Sequence, residues 1–179
     1  MKNESDVKEW VCYADMDVLS ANHLNEIQYP KPLEIICYHC QQAAEKMLKA
    51  LLLAYDGELQ KTHDLGVLTD ELSKFVTFSE DILNSADALT PYGVKIRYPQ
   101  ELNIKEYHVV KALSDMKTIY DFVTNKINEL GGQAINLPFI NIEYLDFEMP
   151  DLSKYSTLLF NSLNSVIGFM RKIKDMRVL

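Results

Sequence analysis

Three groups of side chains in this sequence have the types and spacing to do chemistry. They are the segment Lys95-Ile96-Arg97-Tyr98-Pro99, the histidines His63 and His108, and the cluster Cys37-Tyr38-His39-Cys40. Arg97 is one of three arginines, and a planar, permanently charged fork suits phosphate recognition, with a salt bridge to a neighbouring carboxylate as the structural alternative. Tyr98 can stack on a base or pack over the end of a helical bundle. His63 stands just ahead of a helix start, where backbone N–H groups and the positive end of the dipole attract anions. Beside Arg97 it would make a small anion site, to which Lys95 would add charge. The plainer role for His63 is a hydrogen bond to backbone in the capping region, and for His108 a place on the surface or at an interface.

The two cysteines Cys37 and Cys40 sit mid-helix on an apolar stripe, not at the helix start after a strand that a redox pair uses. No second ligand pair stands at zinc spacing, so no metal is expected. Gly-rich phosphate loops and nucleophile motifs are absent from the sequence, and no cofactor is expected. The row Gln41, Glu45, Lys46 and Lys49 lies along the other side of the same helix. Its spacing lets Glu45 and Lys49 pair one turn apart, and it reads as a solvated face or part of a dimer surface or cleft.

Charge limits the partners. The 179 residues carry a net charge of −8, with 13 Lys+Arg against 21 Asp+Glu in residues 1–130 and five of each in residues 131–179. A broad nucleic-acid surface is excluded, because phosphate contact needs cations. Any nucleotide or RNA contact must be local, or made by a dimer cleft. The polar start Met1-Lys2-Asn3-Glu4-Ser5-Asp6 has no apolar signal region, and no apolar run is long enough to span a membrane. A cytoplasmic protein is expected.

These residues need elements to place them. With six Gly and six Pro in the chain, long helices are expected. Apolar spacing predicts helices over about 6–23, from Pro32 to Tyr55, from Thr62-His63-Asp64 through Phe75, over 80–89 and over 104–130. Gly57 is expected to end the second in left-handed geometry, Thr90-Pro91-Tyr92-Gly93 to end the fourth, and Gly131-Gly132 to end the fifth. Residues 135–147 read as a strand or an extended arm, followed by a last helix capped by Asp151 or Ser153. The expected architecture is all-α: an antiparallel up-and-down bundle over residues 1–130, with an arm and helix as an extension over residues 131–179.

The order of these pieces resembles the HEPN domain family over about residues 5–130. The features that carry it are Trp10 and Ala14 ahead of Asp17, the row Gln41-Gln42-Ala43-Ala44-Glu45-Lys46, the start Thr62-His63-Asp64-Leu65, and Arg97-Tyr98-Pro99 ahead of a long helix. The resemblance implies a helical bundle that dimerises and acts as a partner of small nucleotidyltransferases, as an RNA-cutting toxin or as a nucleotide-binding module. The toxin branch holds Arg and His in one register on one helix surface. Here ten residues separate Arg97 from His108 and an aromatic ring follows the arginine, so catalysis is not expected. The Arg-Tyr-Pro form resembles the nucleotidyltransferase-associated branch. That implies a nucleotide- or RNA-binding module in a toxin–antitoxin-like pair, with Arg97, Tyr98, His63, Lys95 and Lys46 as ligand residues. One alternative is a metal-independent endoribonuclease toxin using Arg97 with His108 or His63. The other is a dimerisation scaffold without a ligand.

Overall fold

The computed structural model describes residues 4–94 and 103–131, with Asp151, Lys154, Thr157 and Phe169 singly. Lys95, Arg97 and Tyr98 lie outside the described residues, as do the arm expected over 135–147 and most of the last helix. The chain divides into two compact units, Met1–Leu137 and Pro138–Leu179. In the second, Lys154 Nζ lies 3.6 Å from Asp151 Oδ2.

Every regular element described in the first unit is helical: α1 (Glu4–Ile27), α2 (Leu33–Ala54), α3 (Leu65–Leu72), α4 (Glu80–Leu89), the single turn α5 (Pro91–Val94) and α6 (Glu106–Glu129). None is long and apolar enough to cross a membrane. The centre of the bundle is α2, which packs against α1, α6, α3 and the α4–α5 corner. Its sequence is rich in Ala, Leu, Gln, Glu and Lys, and lacks Gly and Pro from Leu33 to Ala54. Ile36, Cys37, Cys40, Ala44, Met47, Leu48, Leu51 and Leu52 are fully buried as their spacing predicts, and Val109, Ala112, Ile119 and Val123 of α6 face them. The thiols belong to this core, where burial first and then the neighbouring Glu34 push Cys37 up to about 12.

The ends differ from expectation in three places. Left-handed geometry at the end of α2 falls on Asp56 (φ 56°), not on Gly57. Gly57 N–H donates to Leu52 O at 2.8 Å and Asp56 N–H to Leu53 O at 3.0 Å, so Asp56 is the left-handed residue and Gly57 the one after it. A Cβ on Gly57 would stand 2.6 Å from Leu52 Cδ2, so closeness to α2 is what demands glycine there. Secondly, the chain turns once more through α5 instead of leaving helical geometry at Pro91, because a proline ring fits the first position of a helix. Lastly, Phe75 lies beyond the end of α3 and is 42% exposed, stacked on Tyr55, while Val76 is buried in its place. At the end of α6, Gly131 takes φ 80°, as a terminating glycine can.

Candidate functional site

The polar row of α2 is not a solvated face. Gln41 is fully buried, and Glu45 and Lys49 are 4% and 8% exposed. Helix α1 covers one flank of the row, and the approach to α3 together with α5 covers the other. A charged row can be buried this way only if every donor and acceptor finds a partner. Glu45 Oε1 accepts from Lys49 Nζ at 2.7 Å, and Oε2 accepts from Gln41 Nε2 at 3.1 Å and Gln42 Nε2 at 3.3 Å. Gln41 Nε2 also donates to the His63 carbonyl at 3.0 Å, and its Oε1 accepts from Gln42 Nε2 at 2.8 Å. Burial opposes ionisation of Glu45, but the hydrogen bonds from Lys49, Gln41 and His63 outweigh it and hold the carboxyl below the usual carboxylate range.

His63 belongs to this network. Its Nδ1 lies 3.1 Å from Glu45 Oε2 and 3.2 Å from Oε1. An ionised carboxylate only accepts, so Nδ1 carries the proton and Nε2 is left open. The side chain is 56% exposed above a carboxylate that is 5% exposed. The helix start beside it is closed from within. Asp64 Oδ1 accepts from Gly66 N at 2.9 Å and Val67 N at 3.3 Å, and Thr90 Oγ1 accepts from Leu65 N at 3.1 Å. The backbone donors expected to draw an anion to His63 are therefore already satisfied. The imidazole is held by a side-chain carboxylate, not by backbone.

On the α1 flank, Asp17 bridges two groups of α2. It accepts from Lys46 Nζ at 2.6 Å and from His39 Nδ1 at 2.7 Å, while Lys46 also donates to Gln42 Oε1 at 3.1 Å. His39 thus repeats the arrangement of His63: Nδ1 tied to a carboxylate and Nε2 open. One turn away, Trp10 lies over Lys49, with Nζ 5.5 Å from the ring centroid. Glu9, Trp10, Tyr13 and Lys46 line a cavity of about 290 Å³ beside it.

Of the residues expected to bind a ligand, Lys46 and His63 meet in one network, linked through Gln42 and Glu45. His108 has a different role in the first turn of α6, where its Nδ1 accepts from the Lys105 backbone N–H at 3.0 Å and its ring lies against Tyr107. Residues Asp17, His39 and Gln42 carry as much of the network as those foreseen. The signal for them was the row Trp10, Tyr13 and Asp17 on α1, which in an antiparallel pair runs alongside Lys49, Lys46 and His39. A Cβ on Gly93 would stand 2.8 Å from Gln41 Cδ and Nε2, so α5 rests its backbone on the Gln41 amide.

No group of three or more His, Cys, Asp or Glu among the described residues could hold a metal ion. What the arrangement offers is two imidazoles whose Nδ1 atoms are each held by a carboxylate and whose Nε2 atoms have no partner among the described residues. Such groups can donate or accept hydrogen bonds at fixed points, or move a proton.

No curated protein matches the chain. Among solved structures, the crystal structure of TT1696 from Thermus thermophilus matches with a TM-score of 0.59 at 26% identity, over 67% of this chain and 97% of that one. The structure of an archaeal HEPN homologue matches with a TM-score of 0.55 at 23% identity, over 68% of this chain and 97% of that one. The HEPN domain family matches residues 7–127, which takes in the whole polar network and the six helices described above apart from the start of α1 and the end of α6, and the chain belongs to the HEPN family.

Proposed function

We propose that this protein is a nucleotide- or RNA-binding HEPN module that pairs with a small nucleotidyltransferase as in toxin–antitoxin systems, and that it works as a homodimer in the cytoplasm. In this reading Arg97, Tyr98 and Lys95 join His63 and Lys46 around one ligand, and residues 131–179 extend the module. The observation that carries the proposal is the anchoring of His63. A buried, fully hydrogen-bonded carboxylate fixes its Nδ1 and turns Nε2 outward, while Gly93, four residues before Arg97, rests on the same Gln41 amide. Four residues of extended chain span at most about 14 Å, a reach that is compatible with Arg97 sharing a ligand with that anchor. An acidic protein that binds an anion must gather its few cations, since its overall field opposes the ligand.

Chemistry at His108 has less support, because its Nδ1 is engaged in holding the first turn of α6. The test is titration of mononucleotides and short RNA into wild type, Arg97→Ala and Arg97→Lys. Binding should weaken with salt through counterion release. Lysine should restore little of it, because an ammonium cannot reproduce the fork. Equal binding by wild type and Arg97→Ala would sink the proposal. Metal-free cleavage of RNA that Arg97→Ala abolishes would replace it with the endoribonuclease reading.

A further inference from the structure

We infer that the cavity lined by Glu9, Trp10, Tyr13 and Lys46 is a nucleobase subsite that prefers guanine; the class of ligand rests on the nucleotide-binding reading, and the preference rests on the cavity itself. Its volume of about 290 Å³ is at the small end of ligand pockets and suits one planar base. The cavity disfavours phosphate. Lys46, the only cation among the described residues that line it, is already neutralised by Asp17 at 2.6 Å, and Glu9 adds a negative charge. It also disfavours a second cation on Trp10, because Lys49 already lies against that ring at 5.5 Å without lining the cavity. What fits is an uncharged, flat group with N–H donors.

Trp10 and Tyr13 stand three residues apart on α1, so both rings are offered on one side of the helix. Tyr13 is 50% exposed and Glu9 is exposed, and no described side chain pairs with the Glu9 carboxylate. A carboxylate can only accept. Guanine presents two parallel donors, N1–H and the N2 amino group, which match its two oxygens. Adenine and cytosine each set one donor beside a ring-nitrogen acceptor. Uracil flanks its single N–H with two carbonyl oxygens that the carboxylate repels. Stacking accepts any base, so preference falls to Glu9.

Trp10 is the only tryptophan in the chain, so its fluorescence reads the cavity directly. Guanosine, which has no phosphate, should quench it saturably in the full-length protein, with lifetimes measured to separate quenching from absorbance. Uridine should bind at least about tenfold more weakly, and Tyr13→Ala should weaken both by about tenfold, within the range for base–aromatic stacking. Glu9→Gln should keep the quenching and bring the guanosine-to-uridine ratio close to one. Both substitutions are at exposed positions and leave the core untouched. Absence of saturable quenching, equal affinity for uridine, or a preference that survives Glu9→Gln each overturns the inference. GMP binding that depends on Arg97 without quenching by guanosine would overturn this subsite and leave the proposed function standing. Quenching by guanosine with no effect of Arg97→Ala on GMP would uphold the subsite and remove Arg97 from the site.

Discussion

Replacing Glu45 by alanine tests whether the polar row of α2 is a structural core. The carboxylate is the shared acceptor for Lys49, Gln41, Gln42 and His63, and both partners of its ion pair are less than one-tenth exposed. Truncation leaves the Lys49 ammonium buried without a counter-charge, and breaking a buried pair from one side costs about 3–5 kcal/mol. Gln41 suffers less, since its amide still donates to the His63 carbonyl. Lys49→Met should cost less than Glu45→Ala, because the carboxylate keeps its hydrogen bonds from Gln41, Gln42 and His63. The double variant Glu45→Leu/Lys49→Met should cost well below the sum of the single changes, as exchange of a whole buried pair for apolar groups is often neutral. Urea denaturation with an unchanged slope reads these values, and the coupling follows from the double-mutant cycle. A loss below about 1 kcal/mol for Glu45→Ala, the size measured for exposed pairs, would show that the row is solvated after all.

Acid should weaken the fold through the same carboxylate. Against the opposing effect of burial, the hydrogen bonds from Lys49, Gln41 and His63 depress the folded pKa of Glu45, so its contribution is complete above the ordinary carboxylate range and fades as pH falls through the lower folded value. The difference in denaturation midpoint between wild type and Glu45→Gln should therefore be smaller at pH 3 than at pH 6. Gly93→Ala should cost about 1–3 kcal/mol, because Gln41 is fixed by its hydrogen bonds and cannot make room for the Cβ; a neutral result in thermal unfolding would contradict the close approach. Asp56→Gly should stabilise by about 0.5–1 kcal/mol by relieving left-handed geometry at a non-glycine residue. Tyr120→Phe should cost about 1–3 kcal/mol, since the phenol donates to the buried Asp15 carboxylate and ties α6 to α1.

Helix existence was legible in the residues alone. The apolar stripes of α2 and α6 recur at helical spacing, Asp64 caps α3 where a short acceptor precedes an apolar run, and Gly131 ends α6. Each of these is a local property: periodicity fixes which side is apolar, and a cap needs only the next turn. The fate of the polar row was not local. Gln41, Glu45 and Lys49 read the same whether water or protein covers them, because a charged side chain records no burial in its own identity. Burial was decided by Asp17 and Trp10 of α1 arriving from one flank and by His63 and Gly93 from the other. The same holds for the histidines. Their number and order are in the sequence, but which nitrogen is tied and which is open depends on a carboxylate 18 residues away for His63 and 22 for His39. Tertiary structure alone sets those pairings, because a hydrogen bond selects partners by distance and direction in space and not by position along the chain.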